Sequence, residues 1–253
     1  MQREQQHKRR ARLDVRLVEL GLAPSRARAQ DLIRRGLVEI SGVVERRPDA
    51  GVAGDAAIRL SQAAGDHVSR GALKLIAALE HFRFPVAGVV ALDVGASTGG
   101  FTQVLLARGA ARVYAADVGH GQLHVRVAAD ARVVSLEGRD ARHLDRTLVP
   151  EPAGAIVADV SFISLTKALP VPLTLAGAGA WLVALIKPQF EAGRAAVGKR
   201  GIVRDPAARQ RAVDLVRDWV AAQPRWRVLD VIPSPIAGGS GNEEFLLGAV
   251  HDH

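Results

Sequence analysis

Ala91-Leu92-Asp93-Val94-Gly95-Ala96-Ser97-Thr98-Gly99-Gly100-Phe101 is the stretch that decides the fold. Val89, Val90, Ala91, Leu92 and Val94 make an apolar run of the kind a buried strand carries. The run breaks into a Gly-rich turn and resumes at helical spacing through Phe101, Val104, Leu105 and Leu106. Glycines let a backbone approach a ligand at the carboxyl end of a strand, where doubly wound α/β sheets hold nucleotides. Gly-rich turns also occur in ordinary strand-turn-helix units. The spacing G-x-S-T-G-G is not the dinucleotide G-x-G-x-x-G, and it lacks the G-K-[ST] ending of a P-loop. Asp93, just ahead of the first glycine, suits a site that attracts a cation. S-adenosylmethionine carries a sulfonium and an ammonium, so the stretch reads as its binding loop.

Downstream, apolar strand patterns alternate with helical ones. Val113–Ala116 ends in Asp117, 24 residues after Asp93, where an acidic side chain can accept from ribose hydroxyls. Val133–Leu136 leads to Gly138-Arg139-Asp140, and Ile156–Ala158 to Asp159. Trp181–Ile186 leads to Lys187, and Val228–Ile232 to a Gly-rich loop and Phe245–Leu247. Ligand and catalytic groups are expected at these carboxyl ends, where Asp93, Asp117, Asp159 and Lys187 all fall. Upstream, Ser69 is expected to cap a helix with Leu73, Ile76, Ala77 and Leu79 inward and Lys74 near its start.

The chain has 253 residues, 48% of them hydrophobic, enough for one substantial core and a small second module. It holds no cysteine, which removes thiolate chemistry, disulfides and Cys-based metal sites and fits a reducing cytoplasm. No apolar run near membrane-spanning length is present, so no membrane partner is expected. The net charge of +8 points to a polyanionic partner. Residues 1–62 hold 13 Lys and Arg against 8 Asp and Glu, a net +5, leaving +3 for residues 63–253. In this first segment Leu13, Leu17 and Leu20 share a helical face. Ser25 starts a second helix with Ala29, Leu32 and Ile33 inward and Gly36 as its stop. Val38 and Ile40 then enter a hairpin-like turn at Ser41-Gly42. The small, polar stretch Ser61–Asp66 places a domain boundary near residue 63, giving domains 1–62 and 63–253.

R-L-D-V-R-L-V-E-L-G (12–21) and S-R-A-R-A-Q-D-L-I-R-R-G-L-V-E-I-S-G (25–42) resemble the S-four-type RNA-binding domain. The resemblance implies a small α+β domain that presents arginines to structured RNA, with Arg12, Arg16, Arg26, Arg28 and Arg34 as contact candidates. S-R-G-A-L-K-L, L-D-V-G-A-S-T-G-G-F, A-D-V-G-H-G-Q-L, A-D-V-S-F-I-S-L, L-I-K-P-Q-F-E and S-P-I-A-G-G-S-G-N-E-E-F-L follow in order over residues 68–249. They resemble the FtsJ-type methyltransferases. Joined to the first module, they are similar to TlyA-type ribosomal RNA 2'-O-methyltransferases, some of which are called haemolysins.

This resemblance implies an α/β fold, a seven-stranded Rossmann-like sheet that binds S-adenosylmethionine. Its loop contacts would be Asp93, Gly95, Ser97, Thr98, Gly99, Gly100 and Phe101, with Asp117 at the ribose and Asp140 at the adenine. It also implies a Lys-Asp-Lys-Glu tetrad on Lys74, Asp159, Lys187 and either Glu243 or Glu244, the G-N-x-E spacing favouring Glu244. No metal is required. The implied partner is ribosomal RNA or a ribosomal subunit. The substrate would be a cytidine of 23S RNA and secondarily 16S RNA, since the chain lacks a further helix that some relatives carry.

The tetrad makes chemical sense, because a ribose 2'-hydroxyl must lose its proton as it attacks an in-line sulfonium methyl. A lysine serves as base only as the free amine, which burial or a second ammonium favours. The rival readings are an RNA-binding or haemolysin-like factor without methyl transfer, a pseudouridine synthase, and a nicotinamide dehydrogenase. The first would not need ordered polar strand ends, the second would not carry the G-A-S-T-G-G loop, and the third would need G-x-G-x-x-G.

Overall fold

The computed structural model describes residues 11–23, 25–34, 36–60, 67–198, 201–238 and 241–252; the side chains of Arg28 and Asp31 are outside the description. The chain divides into two compact units, Met1–Arg70 and Gly71–His253.

In the first unit, β1 (Ala11–Arg12) leads into α1 (Leu13–Glu19) and then α2 (Arg26–Arg34). β2 (Val38–Ile40), β3 (Val43–Val44), β4 (Gly51–Val52) and β5 (Ile58–Leu60) follow. β2 pairs antiparallel with both β3 and β5, and β1 pairs with β4. Ser41 and Gly42, at φ 51° and 84°, make the two-residue left-handed turn whose twist suits a hairpin. Leu13, Leu17, Ala29, Leu32 and Ile33 are buried between the helices and the sheet. Each large side chain there contributes about 1.5–3 kcal/mol through burial. Leu20 departs from the expected face: it lies at the C-cap of α1, beyond the last helical turn, and is exposed.

The second unit opens with α3 (Gly71–Phe82), β6 (Val90–Val94), α4 (Gly100–Ala107), β7 (Arg112–Asp117) and β8 (Val133–Glu137). It continues with β9 (Ala153–Ala158), β10 (Ala176–Ile186), α5 (Pro206–Ala221), β11 (Trp226–Pro233) and β12 (Phe245–His251). The strands form one seven-stranded sheet in the order β11-β12-β10-β9-β6-β7-β8. β12 runs antiparallel to β10 and β11, whereas the β10-β9-β6-β7-β8 ladder is parallel. This is the α/β sheet expected of S-adenosylmethionine-dependent methyltransferases. The chain order reverses beside β6, so the crevice between the carboxyl ends of β6 and β9 is the natural ligand position. Residues 91–94 of β6 and 155–158 of β9 are buried on both faces, which explains why these strands are apolar throughout except at Asp93.

Two local readings shift. α3 buries Ala72, Leu75, Ala78 and Leu79 rather than the face through Leu73, Ile76 and Ala77, and this rotation turns Lys74 inward. β10 begins at Ala176, five residues before the apolar Trp181–Ile186 run. Small Ala-Gly repeats carry no hydrophobic alternation from which a strand could be read.

Candidate active site

The loops at the ends of β6, β7 and β9 are laced together. The N–H groups of Gly95 and Ala96 donate to the Ala116 carbonyl at 2.8 and 3.1 Å, and Asp159 N–H donates to the Val94 carbonyl at 3.0 Å. Gly95 has φ +85°, and a Cβ there would stand 2.6 Å from the Asp159 carbonyl oxygen. Only glycine lets the β6 loop pass that close to the β9 loop. Asp117 accepts from Ser97 N–H and Gly119 N–H, each at 2.8 Å, which ties the end of β7 to the glycine loop.

These loops surround a cleft of about 1200 Å³. Among the sequence-predicted residues, Gly95, Ser97, Asp117, Asp140 and Asp159 line it. Asp140 also caps the short helix Ala141–His143, and its carboxylate meets the Arg142 guanidinium at 2.6 Å. That hydrogen bond holds the Asp140 carboxyl down at about 2. Thr98, Gly99, Gly100 and Phe101 are not among the lining residues. Thr98 uses its carbonyl to accept from His124 N–H, Gly99 caps α4 at φ 88°, and Phe101 is buried. Asp93 lies fully buried beneath the loop, accepting from the Thr102 hydroxyl at 2.6 Å, while its Oδ1 has no partner. Burial pushes its carboxyl up to about 7.

The tetrad candidates form two ion pairs. Lys187 Nζ lies 2.6 Å from Asp159 Oδ1 and donates to Ser161 Oγ at 2.8 Å. Lys74 is bound to Glu244, and both are buried. Glu243, by contrast, has a side chain that is 63% exposed and paired with Arg209. Asn242 fixes the approach to it: the side chain accepts from Val203 N–H at 3.0 Å and donates to the Gly201 carbonyl at 2.8 Å. Sheet register brings the pairs into line. Ile186 of β10 opposes Phe245 of β12. Lys187 directly follows Ile186 and Glu244 directly precedes Phe245, so both lie just beyond that pair. Because β12 runs backwards, its start shares an edge with the carboxyl ends of β9 and β10.

Two features of the cleft were not read from the sequence. Phe162 is 92% exposed at φ +65° and meets Phe190 at 5.2 Å between ring centroids. The available signal was an aromatic residue directly after the polar end of a strand, in S-F-I-S. Lys167 and Arg194 also line the cleft and make no ion pair among the described residues.

In the first unit, Arg12 and Arg26 both bind the buried Asp14, at 3.1 and 3.0 Å, and Gln30 donates to it at 2.8 Å. These donors, Arg12 first, hold the Asp14 carboxyl well below the usual range. Both arginine side chains remain more than half exposed. Arg16 pairs with Glu19 and donates to the Gly54 carbonyl, and Arg34 donates to Gln30 at 3.4 Å.

Residues 67–250 match the FtsJ-like methyltransferase family and residues 11–55 match the S4 domain. The 16S/23S rRNA (cytidine-2'-O)-methyltransferase TlyA of Mycobacterium tuberculosis is 47% identical over 240 residues, 94% of this chain and 89% of that protein. Hemolysin A of Brachyspira hyodysenteriae is 39% identical over 93% of this chain and 98% of its own. A solved structure described as a hemolysin from Streptococcus thermophilus superposes with a TM-score of 0.74 at 36% identity, covering 96% of this chain and 89% of that one. No helix among the described residues is long and apolar enough to cross a membrane.

Proposed function

The chain belongs to the FtsJ-like methyltransferase family, and from that premise we propose that it methylates the 2'-hydroxyl of a cytidine in ribosomal RNA. The observation that carries the reading is the pair of ion pairs, Lys187 with Asp159 and Lys74 with Glu244, with Lys187 and Glu244 each one residue beyond the paired ends of β10 and β12. The target lies in large-subunit RNA, with small-subunit RNA second, and the protein acts in the cytoplasm, where assembling ribosomes are found.

The cleft residues fit S-adenosylmethionine. A side chain at Gly95 would close the crevice between the β6 and β9 loops, and carboxylates of Asp117, Asp140 and Asp159 face a ligand with two cationic groups. When bound, S-adenosylmethionine supplies a methyl group already activated by the sulfonium charge. Asp117 would accept from its ribose hydroxyls and Asp140 would serve the adenine end. Lys187 takes the proton from the RNA 2'-hydroxyl as the free amine, and Asp159 and Ser161 hold its Nζ in place. Lys74 and Glu244, buried and mutually neutralising, would position the ribose. Phe162 offers an exposed ring at the cleft on which an unstacked base can lie. The first unit supplies affinity and register through arginines that meet phosphates.

Lys187→Arg separates a base from a mere positive charge, because a guanidinium cannot be deprotonated in a protein. Single-turnover methyl transfer, with RNA and cofactor saturating, should collapse in both Lys187→Ala and Lys187→Arg. A rate for the Arg variant within about tenfold of wild type, roughly 1.4 kcal/mol in barrier, rules out Lys187 as the base.

A further inference from the structure

Glu191 ends the L-I-K-P-Q-F-E motif, and nothing in the reaction outlined above uses it. Its side chain reaches back 27 residues to the loop that leaves β9. Glu191 Oε2 accepts from the Ser164 hydroxyl at 2.5 Å, and Oε1 accepts from Leu165 N–H at 2.8 Å. Those two donors sit at the N-terminus of the short helix Leu165–Ala168, of which Ser164 is the cap. Glu191 makes no ion pair among the described residues. It is a carboxylate largely withdrawn from water, and burial raises its pKa.

The loop it grips carries Asp159, Ser161 and Phe162, and it is held in a conformation that it would not keep unaided. Phe162 lies in the left-handed region, which residues other than glycine seldom occupy. Residues 187–191, a single turn of helix starting at Pro188, touch this loop at three points. Lys187 meets Asp159 and Ser161, Phe190 meets Phe162, and Glu191 meets Ser164 and Leu165. The first contact is the catalytic pair itself, and the second is a ring contact with an exposed partner. The third is the only one of the three made through two hydrogen bonds to a helix terminus.

We infer that Glu191 is a positioning residue, a clamp that fixes the β9 loop against the Lys187 turn and so sets the placement of Asp159 relative to Lys187. The inference rests on the methyltransferase reading for its catalytic consequence and on the hydrogen bonds alone for its structural one. Charge is not what the clamp requires. A glutamine keeps an acceptor for Leu165 N–H and can donate to Ser164 Oγ, whose own hydroxyl then turns to Thr166, already 2.8 Å away.

The test uses the full-length protein with Glu191→Ala, Ser164→Ala and Glu191→Gln, and two readouts. Hydrogen exchange at residues 159–166 should quicken in both Ala variants and stay near wild type in the Gln variant. Single-turnover methyl transfer to ribosomal RNA should fall by about tenfold or more in the Ala variants, with KM for cofactor and RNA within about threefold, and recover in the Gln variant. Wild-type exchange and rates in Glu191→Ala would overturn the clamp. So would a Gln variant as impaired as Ala, because that would make the charge essential rather than the hydrogen bonds. A wild-type protein that transfers no methyl group refutes the methyltransferase reading instead, and the exchange data then still decide whether Glu191 holds the loop.

Discussion

Asp93 is the third residue of the stretch that decides the fold, yet it is fully buried with one oxygen unpartnered, so its charge should make folding stability depend on pH. Burial raises its pKa from an ordinary 3.8 to about 7. A carboxyl raised in the folded state contributes stability that is complete below its unfolded pKa and is lost as pH rises to the folded value. Between those two values each pH unit costs ~1.4 kcal/mol. From pH 5 to pH 8 the loss from this one group is about 3 kcal/mol, because it stops accruing near pH 7. Asp93→Asn removes the titration while keeping an acceptor for the Thr102 hydroxyl. Its new amide N–H faces the unpartnered position at a pH-independent cost of about 1–3 kcal/mol. The variant should therefore be less stable than wild type at pH 5, with the gap closing or reversing by pH 8. Urea unfolding followed by tryptophan fluorescence measures this cleanly, since all three tryptophans (Trp181, Trp219 and Trp226) belong to the second unit. Parallel stability curves for the two proteins across this pH range would refute the reasoning, because Asp93 would then titrate alike in both states.

Asp117→Ala should weaken S-adenosylmethionine binding by about 1–3 kcal/mol in calorimetry, since it removes the proposed ribose contact and also frees Ser97 and Gly119. Affinity for ribosomal RNA should fall steeply with added salt, and an Arg12/Arg26 double substitution to Gln should flatten that slope while leaving cofactor affinity unchanged. An unaltered slope would remove these two arginines from the RNA face.

The sheet was legible because its strands are apolar on both faces and end in polar residues at regular intervals. Asp117, Asp159 and Lys187 could be placed at strand ends from this pattern alone. What the pattern could not carry was distance. Lys74 and Glu244 are 170 residues apart, and only the rotation of α3 and the reversal of β12 bring them into contact. An inward-facing lysine reads, one residue at a time, as an ordinary surface lysine. Asp93 reads as a cation-attracting contact because it stands just ahead of the glycine loop, whereas its side chain is fully buried and held by Thr102 of α4. Arg12 and Arg26 were legible as a basic surface, but their shared hold on Asp14 depends on how α1 and α2 cross, which helix periodicity does not specify. Phe162 could not be read at all from hydrophobicity, which counts every phenylalanine as core.

Methylation of a ribose oxygen of ribosomal RNA by this protein can be observed directly. Its most direct test is to incubate the purified protein and S-adenosylmethionine with ribosomal subunits lacking ribose methylation, then to map 2'-O-methyl groups by alkaline-cleavage protection. New protection should appear at a cytidine and be lost with Lys187→Ala. Methyl incorporation on a base, or no incorporation while the wild-type protein binds both cofactor and RNA, would contradict it.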